Sequence, residues 1–199
     1  MKNEFAIAEV MSGQLNALVK NLMAQMAIDD ASEAVRRVNA GEWVVRMATG
    51  LLRQITTVPV GGVMRFCAKD HLKSANVGWM GDNFKRLFLN KVEENVGDVV
   101  LAVHCLERES NNALIQTELG ARAEIQLAHS FKLLENQCEH LLVNGNANAN
   151  IAYIKGSDGN FWAVSARWLL GDRFWGLHAN SVEDPSKWSA GSHVLSRDS

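Results

Sequence analysis

The sequence predicts an α+β fold with N-terminal helices, a middle region of mixed helices and strands, and a C-terminal, Trp-rich antiparallel β-meander. Apolar residues recur every three or four positions through the first 26 residues, as in an amphipathic helix. After residue 150, apolar and polar residues alternate in short runs separated by turn residues, as in strands. The 199 residues, 47% hydrophobic and 21% charged, suffice for one core. We therefore expect a single domain over residues 1–199.

The first predicted element is a helix over residues 1–28. Its methionines, Met11, Met23 and Met26, give it a flexible apolar surface. This surface could pack on the core of the same chain or on a second copy, so the helix is expected to be peripheral or to form a homodimer. The apolar stripe of this helix comprises Phe5, Ala8, Met11, Leu15, Leu18, Leu22 and Met26.

The middle region mixes helices and strands. A capping box, Asp30 with Glu33, predicts a short helix over 31–39. Helical spacing of apolar residues predicts a basic amphipathic helix over 82–93 and another helix over 122–142. Strand-forming residues predict two or three strands among 42–47, 55–58 and 63–67, and a buried strand at 99–106, before a helix over 110–119.

The C-terminal region is the predicted meander. An Asn-rich loop, residues 144–150, leads into it. Turns at Ser157-Asp158-Gly159 and Gly171-Asp172 separate its strands. The predicted strands cover about 151–155, 160–168 and 173–179, with a short fourth at 194–196.

Composition and cysteine content indicate a cytoplasmic protein. No apolar stretch approaches the 20 or so residues that cross a bilayer, and acidic Glu4 and Glu9 interrupt the region where a secretory signal would be apolar. The odd set Cys67, Cys105 and Cys138 has no paired spacing, which favours free thiols in a reducing compartment. We therefore expect neither a membrane span nor export.

Charge is unevenly distributed along the chain. Residues 30–91 contain ten Lys/Arg and five Asp/Glu, whereas residues 92–140 contain three and nine. The positive segment, including Arg36, Arg46 and Arg65, could bind nucleic acid or phosphate. Alternatively, the two segments neutralise each other in the fold, which is the interpretation we favour.

Three stretches resemble small bacterial proteins of unassigned function, including ones carried on mobile elements. They are residues 81–85, residues 149–154, and the segment from Val182 to Arg197. The resemblance covers residues 30–199. It implies a bacterial, intracellular origin and transfers no activity or site residue.

One face of the predicted meander could bind a ligand. Successive side chains of a strand point to opposite faces of the sheet. One face of the meander carries Trp162, Val164, Ala166 and Trp168 and must be buried, and the other carries aromatic rings, a cation and an imidazole. Such a face could hold an anionic or planar ligand, although a half-solvated or helix-covered face is the more ordinary interpretation. The candidate ligand-binding residues are Tyr153, Phe161, Ser165, Arg167, Phe174 and His178.

Cysteine and histidine pairs offer a weaker possibility of catalysis. On a helix, the side chains of Cys67 and His71 would lie next to each other and could act as nucleophile and base or as two metal ligands. Cys138 and His140 could supply the remaining ligands of a metal site. Structural cysteines are the favoured interpretation, and the adjacent carboxylates Glu93-Glu94 are expected to be solvated. Because GxGxxG, GxxxxGK[ST], HExxH, GxSxG and CxxC motifs are all lacking, we expect no cofactor, no metal and no catalytic residue.

Together these observations favour a non-enzymatic interaction or binding protein. Its expected partner is a protein, including a second copy of itself through residues 1–28. The alternatives are a nucleic-acid or phosphate binder using residues 30–91, and an enzyme using Cys67/His71 or the Arg167/His178 face.

Overall fold

The computed structural model describes residues 50–136, 139–143 and 148–198. They belong to one compact unit, Ala48–Ser199. The predicted helices over 1–28 and 31–39, the predicted strand over 42–47, and Cys138 lie outside the described residues. Within the described part of the chain, no helix is long and apolar enough to cross a membrane.

Strands dominate the described unit. The strands are β1 (Leu52–Val60), β2 (Val63–Cys67), β3 (Val77–Met80), β4 (Val92–Val96), β5 (Val99–Leu106), β6 (Ser110–Asn111), β7 (Asn150–Lys155), β8 (Phe161–Leu169), β9 (Phe174–Ser181), β10 (Lys187–Trp188) and β11 (His193–Arg197). The helices are α1 (Ala68–His71), α2 (Asp82–Leu87), α3 (Asn112–Leu119) and α4 (Leu127–Glu135), with a 3-10 turn at Gly120–Arg122.

Seven strands form one mixed sheet in the order β1-β5-β11-β7-β8-β9-β3. Most neighbours are antiparallel, whereas β11 with β7 and β3 with β9 are parallel. The predicted meander is present as the consecutive antiparallel strands β7, β8 and β9. Two short antiparallel pairs, β2 with β4 and β6 with β10, lie outside this sheet.

The seven-stranded sheet separates two cores. Alternate residues of β7 enter different cores: Ala152 and Ile154 join the first, and Ile151 and Tyr153 join the second. Because successive side chains of a strand point to opposite faces, the two cores lie on opposite faces of the sheet. Helices α1, α2 and α4 cover the first face, and α3 with Trp188 covers part of the second.

A buried asparagine organises the second core. Asn112, 2% exposed, accepts hydrogen bonds at Oδ1 from Tyr153 Oη (3.1 Å) and Trp188 Nε1 (2.7 Å). Its Nδ2 donates to the carbonyl oxygen of Ser181. Asn112 therefore connects the start of α3 to β7, β9 and β10. It also pairs the O–H of Tyr153 and the N–H of Trp188, two donors that would otherwise be buried without an acceptor.

Helix α4 begins where a buried carboxylate caps it. Glu93 of β4 is 7% exposed, and it accepts hydrogen bonds from the backbone N–H groups of Leu127 (3.1 Å) and Ala128 (2.9 Å). Lys91 Nζ donates to the same carboxylate over 2.7 Å. A negative group at a helix N-terminus satisfies unpaired N–H groups and interacts favourably with the helix dipole. The prediction that Glu93 and Glu94 are both solvated is wrong for Glu93.

The α+β prediction is confirmed, and the unit contains more β-structure than expected. The helix predicted over 82–93 ends at Leu87, because Val92 begins β4 and pairs with Cys67 of β2. The helix predicted over 122–142 covers only Leu127–Glu135. Before this helix, Arg122 ends the 3-10 turn. Glu124 and Ile125 then run beside β7, since Glu124 forms a bridge with Tyr153 and the backbone N–H of Ile125 donates to the carbonyl oxygen of Tyr153.

Buried His104 predicts a loss of stability in mild acid. Its Nε2 lies 2.9 Å from Ser196 Oγ, and burial, with Arg122, lowers its pKa from the usual 6.5. The unfolded chain therefore takes up this proton at a higher pH than the folded one, so the stabilisation is present above pH 6.5 and is lost as the pH falls through the folded pKa. We expect denaturation midpoints to fall between about pH 7 and pH 5, and less steeply in His104→Gln. If the denaturation midpoints of His104→Gln fall as steeply with pH as those of the wild type, groups other than His104 cause the loss of stability.

Candidate functional site

The structure brings together three of the six predicted ligand-binding residues. Ser165 of β8 lies directly opposite His178 of β9, and Arg167 follows two positions later on the same face. Burial and the charge of Arg167 lower the pKa of His178. Ser165 is buried, and the imidazole of His178 packs against the indole of Trp79 with ring centroids 4.5 Å apart. His178 is therefore held as a neutral, packed ring near neutral pH.

The other three predicted residues are dispersed. Tyr153 is fully buried beneath α3 and bonded to Asn112, so a ligand cannot reach it in this conformation. Phe161 lies at one end of β8, where Lys155 Nζ is 5.1 Å from its ring centroid. Phe174 lies at the opposite end of β8–β9, where its ring covers Gly78 so closely that a Cβ atom there would clash. The six residues do not form a common cavity.

The predicted cysteine and histidine pairs have separate partners. Cys67 is buried, with Sγ 3.6 Å from the carbonyl oxygen of Leu89, whereas His71 Nδ1 lies 2.8 Å from Glu135 Oε1. His140 contributes its carbonyl oxygen to His193 Nδ1 over 2.8 Å. Among residues 50–136, 139–143 and 148–198, no three His, Cys, Asp or Glu side chains form a group that could hold a metal ion.

Several basic residues in the described part of the basic segment, residues 50–91, lie next to acidic residues. Arg53 Nε lies 2.6 Å from Glu107 Oε1, and Lys91 binds Glu93. Arg65 of β2 lies opposite Glu94 of β4 in their antiparallel pair. Each of these contacts joins the basic segment to the acidic one that follows it.

A pocket on the first face of the sheet has the size and lining of a small-molecule site. Its volume is about 520 Å³, within the usual range for ligand pockets. We call it the tryptophan pocket. Its apolar wall consists of Leu134, Leu141, Val143, Trp168 and Trp175. Its polar wall consists of Ser74, Asn76 and Arg173, of which Asn76 and Arg173 are hydrogen-bonded to each other, and Glu139 also lines the pocket.

Two indoles form the base of the tryptophan pocket. Trp168 of β8 and Trp175 of β9 are opposite each other in register, and their rings meet edge to face with centroids 5.1 Å apart and an interplanar angle of 71°. Trp175 is 3% exposed and fixed in the core, whereas Trp168 is half-buried and retains accessible ring surface. A rigid indole with an accessible surface can stack on a planar ligand at low entropic cost.

Beside this pocket, a carboxylate joins a serine and a histidine. Glu135 Oε1 accepts a hydrogen bond from Ser74 Oγ (2.6 Å) and binds His71 Nδ1. Despite partial burial, these hydrogen bonds and the nearby charges of His71 and Lys132 hold the pKa of Glu135 below its usual value. In a nucleophilic triad the histidine lies between the serine and the carboxylate. Here the carboxylate lies between the other two side chains. This arrangement holds Ser74 in place in the polar wall and does not activate its hydroxyl group.

The polar wall contains two residues with left-handed backbone conformations. Asn76 has φ 51° and Arg173 has φ 58°, and Asn76 Nδ2 donates to the carbonyl oxygen of Arg173 over 2.9 Å. Asn adopts this conformation readily, but for Arg it costs on the order of 1 kcal/mol relative to Gly. The N–H of Trp175 donates to the carbonyl oxygen of Asn76, which ties this pair to the indole base.

Two other cavities are less suited to an organic ligand. One, of about 140 Å³, lies on the second face between Arg167, Asn180 and Asp184, and is small for a cofactor. The other, of about 640 Å³, lies beside Glu93 and Lys155; its lining is mostly polar and charged, with Val92 and Ile125 as apolar members, and contains no aromatic ring. Neither combines an apolar base with polar groups on one side, as the tryptophan pocket does.

Sequence reasoning identified only part of this pocket. It placed Trp168 on a face that must be buried, but it did not single out Ser74, Asn76 or Arg173. The predicted Gly171-Asp172 turn locates the β8–β9 connection, but it does not reveal that the next residue, Arg173, has a left-handed backbone and accepts a hydrogen bond from Asn76. No family model, curated protein or solved structure matches the chain. The bacterial resemblance stays a prediction.

Proposed function

We propose that this chain is a non-enzymatic binding protein that holds a small, planar organic molecule in the tryptophan pocket. The observation that carries this proposal is the edge-to-face pair of Trp168 and Trp175 at the base of a 520 Å³ pocket with polar groups along one wall. Aromatic side chains with a few convergent polar groups are typical of small-molecule sites. The ring of such a ligand would stack on Trp168, and its polar substituent would face Arg173 and Asn76.

The contacts of the ionisable groups near the pocket support binding rather than catalysis. Glu135 shares one oxygen between Ser74 and His71, which orients both side chains toward the protein. Cys67 is buried against the carbonyl oxygen of Leu89. A catalytic nucleophile or base needs access to the reacting atom, and these groups are committed to structural contacts.

A cytoplasmic location is part of the same proposal. Cys67 and Cys105 are both free thiols, as is common in reducing compartments. Homodimerisation through residues 1–28 stays a prediction, because that segment lies outside the described residues. Oligomeric state measured with and without this segment would test it.

Titration with indole tests the pocket directly. We expect indole to bind the full-length protein with Kd on the order of 0.1–1 mM, as befits a fragment with few atoms. Saturation-transfer NMR would detect this binding, and Trp168→Ala should weaken it at least about tenfold by removing the stacking surface.

Trp79→Ala is the matched control for this titration. Trp79 is 43% exposed and packs on His178, on the opposite face of the sheet. Its loss should leave indole binding unchanged. Equal binding by wild type and Trp168→Ala, or loss of binding in Trp79→Ala, would locate the site elsewhere.

A further inference from the structure

We propose that the tryptophan pocket selects planar ligands with an anionic substituent, such as an aromatic carboxylate, and that Arg173 binds that substituent. This inference rests on the proposed function, because it names the ligand class of the same site. It begins from the backbone of Arg173, which is held in a left-handed conformation by the turn between β8 and β9.

The turn fixes Arg173 on both sides. Its N–H donates to the carbonyl oxygen of Leu169 over 2.7 Å, and its carbonyl oxygen accepts from Asn76 Nδ2. Glycine would adopt this conformation without strain. A residue held in a strained conformation at the rim of a pocket points to a role for its side chain.

The chemistry of the side chain defines the ligand. A guanidinium presents planar, paired N–H donors that match a carboxylate or phosphate, and it keeps its charge at any physiological pH. The base of the pocket supplies ring stacking through Trp168, at the side of the pocket adjacent to the same turn. A flat ring with a negative group at one end therefore satisfies both features at once.

Glu139 provides the competing interaction at the same pocket. Its carboxylate is exposed, and Oε1 lies 3.5 Å from His140 Nε2. A cationic ligand would be favoured if Glu139 dominated recognition, and an anionic one if Arg173 did. Because Arg173 is the residue held in a costly conformation, we assign the selecting interaction to it.

Three probes that share the indole ring and differ in charge test this assignment on the full-length protein: neutral indole, anionic indole-3-acetate and cationic tryptamine. We expect indole-3-acetate to bind about tenfold more tightly than indole, and tryptamine more weakly than indole-3-acetate. The difference in affinity between indole-3-acetate and indole should shrink with added salt, because the guanidinium of Arg173 is exposed to solvent. Equal binding of the neutral and anionic probes, or tighter binding of tryptamine, would overturn the inference while leaving the proposed function intact.

Arg173→Gly separates binding from folding. The variant should bind indole-3-acetate no more tightly than indole, and its thermal midpoint should match the wild type or exceed it by about 2–4 °C because strain is relieved. Arg173→Lys, which keeps the cation, should retain part of the preference. If Arg173→Gly still prefers the anion, Arg173 is not the selecting residue. If no probe binds the wild type at all, the proposed function fails together with this inference.

Discussion

Replacing Asn112 with alanine is expected to destabilise the described unit by about 3–5 kcal/mol, a large part of the stability of an ordinary domain. The substitution removes the acceptor for both Tyr153 Oη and Trp188 Nε1 and leaves these donors buried. Each unpaired donor costs roughly 1–3 kcal/mol, and the vacated volume adds a cavity term. Urea denaturation followed by tryptophan fluorescence would measure the change.

The neighbouring asparagine is the control. Asn111 Oδ1 accepts the backbone N–H of Leu114 as the cap of α3, so Asn111→Ala should cost about 1 kcal/mol. Tyr153→Phe removes one of the two donors and should cost less than Asn112→Ala, because the Trp188 contact remains. Similar costs for the two asparagine substitutions would show that Asn112 does not organise the second core.

Glu93→Ala is expected to cost about 3 kcal/mol. It leaves the first N–H groups of α4 and the ammonium of Lys91 without their shared acceptor. Among the described residues, Lys91 would retain its bond to the carbonyl oxygen of Lys155. Because α4 packs on the first core through Phe131 and Leu134, the loss should appear as a lower midpoint of the whole unfolding transition.

Glu94 supplies the matched control for this substitution. It is the same residue type at the next position, but it is exposed, so Glu94→Ala should change stability by no more than about 0.5 kcal/mol. Glu93→Gln keeps one acceptor oxygen and should fall between the two. A cost for Glu94→Ala equal to that for Glu93→Ala would mean that net charge, rather than capping, accounts for the effect.

The strands whose signals are local were predicted correctly. Strand β5 was expected at 99–106 and is found at Val99–Leu106, and the three meander strands lie within two residues of their predicted bounds. The alternation of apolar and polar residues and the turn residues each involve only a few neighbouring positions, so both can be recognised in a single sequence.

Elements fixed by distant contacts were missed or given wrong bounds. Val92 continues the helical spacing of Phe84 and Phe88, yet it starts β4 because pairing with β2 outweighs local preference. Helix α4 starts at Leu127 because Glu93, 34 residues earlier, caps it there. The tryptophan pocket likewise joins turns far apart in the chain, as in the bond between Asn76 and Arg173, 97 residues apart.

The position of β11 bears on how the chain folds during synthesis. Strand β11 lies between β5 and β7, so it joins the β1–β5 pair to the meander strands. A ribosome-bound chain that has not yet released residues 193–197 can form these two groups of strands only separately. Each would expose an open edge of the kind that pairs with other nascent chains. The seven-stranded sheet can therefore be completed only after β11 has left the ribosome.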